Sequence, residues 1–298
     1  MLQRYDPRNA DIVYWVNGVL RHRDEPGISP FDSVVQGGDA VWEGLRLYSG
    51  RVYGLDAHLD RLRRSALALG FTAVPEPEQI VAALVETLRA NAMSDGVHIR
   101  LTLTRGVKVT SGMDPRLNQS GPTLIVLAEF KEPVYDETGI RLVTASLRRP
   151  GPDVLDPKIH HNNLLNSILA KIEANAAGAD DALLLDGRGF VAETNATNVF
   201  AQIDGRLCTP RAVACPEGIT RDTVLRLAAA DGHPVDVRDI SLAELYAAAE
   251  VFCTGTMGEI VPVVGIDGRE IPAGPVAAHY AKTYREYARS HGTEVVSP

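Results

Sequence analysis

Residues 156–198, DPKIHHNNLLNSILAKIEANAAGADDALLLDGRGFVAETNATN, carry two side chains suited to one chemistry: Lys158, set between Pro157 and a helical pattern, and Glu193, at the end of a hairpin strand. A deprotonated lysine amine condenses with an aldehyde, and a carboxylate can hold the protonated ring nitrogen of an aldehyde cofactor. Arginine stays protonated and cannot take the first role. Lysines are few: Lys108, Lys131, Lys158, Lys171 and Lys282 stand among 30 basic residues. Alone, Lys158 reads first as a solvated charge before a helix and Glu193 as a strand-end charge in water, so the functional reading depends on partners.

The elements that position these residues follow from periodicity. Asp156 and Pro157 interrupt a strand pattern, after which Leu164, Leu165, Ile168, Leu169 and Ile172 recur at helical spacing up to Gly178, with Asn162 or Asn163 as N-cap. Upstream, residues 12–20 read as a hairpin turning at Asn17-Gly18, and two strands flank Ser49-Gly50. Leucines 59, 62, 67 and 69 mark a helix over 56–70, a second helix fits 76–93, and HIRLTLTRG and GPTLIVLAEF are strands. Residues 130–139, FKEPVYDETG, break the apolar periodicity and read as a linker between a small α/β domain, 1–129, and a larger one, 140–298. The second half continues with IRLVTASL, hairpins turning at 186–189 and 204–205, a helix after Gly218, a capping box at Ser241 and Glu244, two strands and a C-terminal helix. The mixture is α+β, without GxGxxG or a GxxxxGK loop.

Composition narrows the function. A chain of 298 residues, 45% apolar, can bury two cores, and a net charge of −8 argues against a nucleic-acid partner. Neither a signal-peptide pattern nor an apolar run of membrane-spanning length occurs, so a cytoplasmic protein with no membrane partner is expected. Cys208, Cys215 and Cys253 lack metal or disulfide spacing, and no metal site is expected.

VWEGLRLYSG, HLDRLRRSA, KIHHNNLLN, GFVAETNATNVF, GITRD and TGTMGEIVPV, in that order, resemble the class IV aminotransferases, pyridoxal-phosphate enzymes of fold type IV. The resemblance runs from about residue 11 to 275, and SVVQGGDAVWEGLR with KIHHNNLLN is most similar to the branched-chain-aminotransferase-like subgroup. It implies two α/β domains with the cofactor site at their interface, a homodimer, and a partner loop closing the pocket. Lys158 then matches the lysine that binds the cofactor and later moves the substrate proton, aided by partial desolvation beside other cations. Glu193 matches the carboxylate on the pyridine nitrogen, and Arg61 the arginine whose fork suits two phosphate oxygens. Ile219 and Thr220, opening a helix after Gly218, and Thr256 with the Met257 amide match further phosphate ligands.

For the substrate carboxylate the candidates are Arg100, which matches an active-site arginine of branched-chain aminotransferases, Arg105 and Lys108. Arg105 reads equally as one half of a cross-strand salt bridge, and Trp42 as a pocket or a core residue. His160 and His161 are expected to orient the loop. Gly37 and Asn163 stand where branched-chain enzymes have pocket tyrosines, and Pro216 where a leucine packs beneath the cofactor ring. The resemblance therefore implies ping-pong amino transfer between a branched-chain-like amino acid and a 2-oxo acid. A D-amino-acid or (R)-amine aminotransferase, or an aminodeoxychorismate lyase, is the alternative on the same fold. A non-catalytic protein would have dispensed with Lys158 or Glu193, and a metal-dependent hydrolase lacks its ligand cluster.

Overall fold

The computed structural model describes residues 4–136 and 138–297. The chain divides into two compact units. One comprises Arg4–Glu132, Ile159–Asn163 and the residues from Ala288 onward; the other comprises Pro133–Lys158 and Leu164–Tyr287. The division at Glu132 falls within the expected linker, but neither unit is one continuous stretch: the pentapeptide after Lys158 and the C-terminal residues group with the N-terminal half.

The first unit begins with β1 (Val13–Val16) and β2 (Val19–His22), whose turn residues Asn17 and Gly18 have φ of 44° and 88°, the backbone a two-residue hairpin requires. A short helix absent from the sequence reading, α1 (Ser33–Gly37), follows, N-capped by Asp32. Then come β3 (Ala40–Tyr48), β4 (Arg51–Val52), α2 (Leu55–Ala68), α3 (Pro77–Ala90), β5 (Val97–Thr104) and β6 (Thr123–Phe130). The sheet runs β4-β3-β5-β6-β1-β2, with all neighbours antiparallel. Strand alternation assigns the faces of β3. Val41, Leu45 and Leu47 belong to a core with Leu59 and Leu62 of α2 and Leu84 and Leu88 of α3; Glu43 shares their face. Trp42, Gly44 and Arg46 project from the other.

The second unit contains β7 (Ile140–Arg148), α4 (Leu165–Ala176), β8 (Asp181–Leu185), β9 (Val191–Thr194), β10 (Asn198–Ile203), β11 (Arg206–Thr209), α5 (Ile219–Ala230), β12 (Val235–Val237), α6 (Leu242–Tyr246), β13 (Glu250–Gly255), β14 (Glu259–Ile266), β15 (Arg269–Glu270) and α7 (Pro275–Ser290) up to Tyr287, the end of α7 grouping with the first unit. Its sheet order is β12-β11-β10-β13-β14-β7-β8-β9, with β15 paired to β14. The expected Ser241–Glu244 capping box opens α6. β16 (Thr293–Glu294) returns to pair with β4 of the first sheet.

Two expectations around α4 change. Neither Asn162 nor Asn163 caps it: Leu164 is the N-cap residue, without a side-chain bond. Its apolar stripe faces outward, leaving Leu165, Ile168, Leu169 and Ile172 about half exposed, while Ala170 and Ala174 pack on Ala145, Ala182 and Leu184. Among the described residues no helix is long and apolar enough to cross a membrane.

Candidate active site

Glu193 lies on β9, opposite Leu184 of β8. It is 5% exposed, and Arg149 is its ion-pair partner. Burial pushes its carboxyl up to about 7, with the Arg149 charge and hydrogen bond opposing the rise. The segment after it is held rigidly. Thr194 Oγ1 accepts from the Thr197 amide at 2.9 Å, and Asn195 Oδ1 accepts from the Ala182 amide at 2.7 Å.

This turn borders two of the expected phosphate-binding segments. A Cβ on Gly218 would stand 2.0 Å from Asn198 Oδ1, and one on Gly255 would stand 3.1 Å from Thr197. The Gly218 contact leaves no room for a side chain unless Asn198 shifts, while the one at Gly255 is tight. Gly218 is the N-cap of α5, with no side chain closing the helix end, so the amides of Ile219 and Thr220 begin an uncapped, electropositive helix terminus. Thr220 is buried, and Thr256 and Met257, directly after β13, are half-buried. Buried Thr254 Oγ1 and Arg149 Nε have no hydrogen-bond partner among the described residues. A buried carboxylate, an uncapped helix start and orphaned donors suit a group that carries a protonated nitrogen at one end and a phosphate at the other.

Lys158 belongs to the same unit. Its amide donates to Asp156 Oδ1 at 3.0 Å, and its side chain is exposed, with no hydrogen bond or ion pair among the described residues. The amine is therefore not consumed by a salt bridge. Among the described residues its exposure does not supply the desolvation expected for it.

The other candidates belong to the first unit. Arg61, on α2, is buried, unlike its exposed neighbours Arg63 and Arg64. Its fork is engaged by Glu43: Nε donates to Oε1 at 2.8 Å and Nη2 to Oε2 at 2.7 Å. The side-on approach expected for a phosphate is thus taken by Glu43. Glu43 also accepts from His58 Nδ1 at 2.7 Å, and at 3.2 Å it shares His160 Nδ1 with the Trp42 carbonyl oxygen, 2.5 Å away. Both ring nitrogens face carboxylate oxygens and so carry the hydrogen. Despite burial, the histidine and arginine partners hold the Glu43 carboxyl well below its ordinary range.

On the opposite face of β3, Arg100 pairs with Gly44 across β5, its guanidinium carbon 4.0 Å from the Trp42 ring centroid. Arg100 Nη2 donates to Asn162 Oδ1 at 2.6 Å, and His160 stacks on Trp42 at 4.4 Å. Burial lowers the Arg100 pKa, and burial with Lys131, Arg100 and Arg46 pushes His98 down to about 3, leaving it neutral. The 159–163 segment takes the open edge of β3, with the Trp42 amide donating to His160 O and the Asn162 amide to Ala40 O. Gly37 and Asn163 are exposed, and a Cβ added to Gly38, beside Gly37, would lie 4.0 Å from Asn163 Cα. Arg105 is half of a salt bridge, with Nε 2.6 Å from Asp39 Oδ2, and buried Lys108 donates to Gly112 O at 2.5 Å. Neither is arranged to meet a substrate. Among the described residues no group of His, Cys, Asp and Glu could hold a metal. Glu43, His58 and Arg149 were not singled out in the sequence, and Asn162 was named only as a candidate N-cap. The readable signal was the spacing of His58 and Arg61, one helical turn apart on α2.

An antiparallel sheet and a mixed sheet with flanking helices, with a lysine, a buried carboxylate and an uncapped helix start in the unit of the mixed sheet, define an α+β protein built to hold a small anionic cofactor. The family profile of class IV amino-transferases matches residues 40–266, and the chain belongs to that family. It is 54% identical over 293 residues to the branched-chain-amino-acid aminotransferase-like protein 2 of Arabidopsis thaliana, covering 97% of this chain and 52% of that protein. The chain thus spans about half the length of that relative. The solved branched-chain aminotransferase of Thermoproteus uzoniensis with norvaline superposes with a TM-score of 0.89 at 30% identity, covering 96% of this chain and all of the other (100%). A second solved branched-chain amino acid aminotransferase, from the organism abbreviated T.th. and complexed with N-(5'-phosphopyridoxyl)-L-glutamate, gives 0.86 at 34% identity, with 96% of each chain covered. The fold is therefore that of the fold-type-IV aminotransferases.

Proposed function

We propose that the chain is a pyridoxal-phosphate-dependent aminotransferase that moves an amino group between a branched-chain-like amino acid and a 2-oxo acid by a ping-pong cycle. The observation that carries this reading is the buried Glu193 carboxylate beside the uncapped start of α5, in the unit that also contains Lys158. Family membership and the norvaline and phosphopyridoxyl-glutamate complexes of the relatives support it.

When bound, pyridoxal phosphate supplies an aldehyde and a protonated ring able to accept electrons from a carbon that loses its proton. Lys158 Nζ offers the primary amine that anchors the aldehyde, and in its neutral form takes and returns the substrate's α-proton. Glu193, ionised, keeps the proton on the ring nitrogen. The amides of Ile219 and Thr220, the Thr256 hydroxyl and the Met257 amide would hold the phosphate, and the resemblance implies Arg61 as a further phosphate ligand. Arg100, a half-buried cation against Trp42 and Asn162, receives a substrate carboxylate, while Gly37 and Asn163 leave the pocket wall open where relatives would carry tyrosine. The enzyme works as a cytoplasmic homodimer, and the exposed apolar stripe of α4 supports a second copy as partner.

Initial rates with the cofactor-loaded chain, varying L-leucine against 2-oxoglutarate, test this. Parallel double-reciprocal lines are expected. Turnover of D-alanine with none of L-leucine would transfer the chain to the D-amino-acid alternative and overturn the branched-chain reading.

A further inference from the structure

A buried carboxylate that must stay ionised needs a fixed positive partner. For Glu193 that partner is Arg149, directly after β7. The Arg149 amide donates to Leu185 O of β8 at 2.9 Å, and Leu184 pairs with Glu193 on β9, so three adjacent strands carry the pair. The guanidinium, its side chain only 13% exposed, contacts Glu193 Oε1 through Nη2. Its Nη1 donates to Asn166 Oδ1 at 3.1 Å and Ser167 Oγ at 3.4 Å in the first turn of α4. Asn166 Nδ2 donates in turn to Arg148 O at 3.0 Å.

Among the described residues no other charge near Glu193 duplicates this contact. The nearby Cys215 thiol is pushed up to about 12, chiefly by burial, and is neutral. Arg221 of α5 spends its guanidinium on Thr209 Oγ1 and Pro210 O, and Glu217 adds only negative charge.

We propose that Arg149 is a positioning residue for amino transfer: it holds Glu193 ionised and oriented, and ties it through Asn166 and Ser167 to the start of α4, the helix following the Lys158 segment. This rests on Glu193 being the partner of the cofactor's ring nitrogen. A carboxylate and a pyridine share one proton, and burial alone shifts it toward the carboxylate; the guanidinium returns it to the nitrogen.

The test compares wild type, Arg149→Met, Arg149→Lys and Glu193→Gln as full-length, cofactor-stripped protein. Each is titrated with pyridoxal phosphate and with its analogue carrying CH in place of the ring nitrogen. Wild type should prefer the nitrogen-containing ligand, and Arg149→Met should lose about tenfold of that preference. Its acid limb of kcat should move up by about one pH unit, with Arg149→Lys, which keeps the charge but not the fork, in between. Equal weakening of both ligands with an unmoved acid limb is what a purely structural arginine gives, and would overturn the proposal. If Arg149→Met does not fold, a wild-type preference and acid limb in Arg149→Lys overturn it. A preference unchanged in Glu193→Gln defeats the reading of Glu193 itself, whereas loss there with retention in Arg149→Met defeats only the role of Arg149.

Discussion

At Arg61 an expected anion-binding side chain is already half of a buried ionic cluster. Glu43, fully buried, accepts from Arg61, His58 and His160, so the guanidinium is fixed in place before any phosphate arrives. Its carboxyl is held below the ordinary 4.5, so its contribution to stability is present above that pH and is lost as acid protonates it. Replacing Glu43 with Gln should cost about 3 kcal/mol in urea unfolding, because the cationic partner stays buried uncompensated. It should also weaken pyridoxal phosphate binding, measured by fluorescence titration, while leaving phosphate-free pyridoxal unaffected. Arg61 was readable from HLDRL, but its partner was not: Glu43 sits in a strand of otherwise apolar alternation, and only tertiary pairing with α2 explains a charge there. Arg105 went the other way, its two readings being resolved by Asp39 across the strands.

For elements, periodicity gave existence more readily than facing. The stripe Leu165, Ile168, Leu169 and Ile172 correctly implied α4, yet the helix buries its alanines. Close packing of this helix on β7 and β8 admits only small residues, and a hydrophobic pattern cannot distinguish a face toward the core from one toward another chain. The N-cap expectation failed because the Asn162 side-chain oxygen Oδ1 accepts from Arg100 instead. Where local chemistry decides, the sequence served better, as at Asn17-Gly18 and at the α6 capping box. Ser241→Ala should therefore lower stability by about 1 kcal/mol in chemical denaturation without altering activity. Gly218→Ala, whose methyl would meet Asn198 Oδ1, should displace the start of α5 and raise the Kd for pyridoxal phosphate about tenfold or more by spectroscopic titration.

Across the whole molecule, discontinuous units were the least legible feature, because the edge pairings of residues 159–163 with β3 and of β16 with β4 join residues far apart in sequence. If the α4 stripe meets a second copy, Ile168→Asp with Ile172→Asp should convert the dimer to monomer in sedimentation velocity. Glu193 makes a prediction of opposite sign to Glu43. Its carboxyl is raised from 4.5 to about 7, so its stabilising contribution is complete below 4.5 and is lost as pH rises through 7. Thermal melts of cofactor-free protein should lose up to about 3 kcal/mol over that interval, and bound cofactor, whose ring cation favours the ionised carboxylate, should flatten the loss. The central claim is that Lys158 carries the cofactor, and the most direct measurement is the visible absorption spectrum of the chain loaded with pyridoxal phosphate, for wild type and Lys158→Ala, before and after L-leucine. Wild type should show a bound-cofactor band that L-leucine removes, and Lys158→Ala should lack both the band and the response; identical spectra for the two proteins would contradict the account.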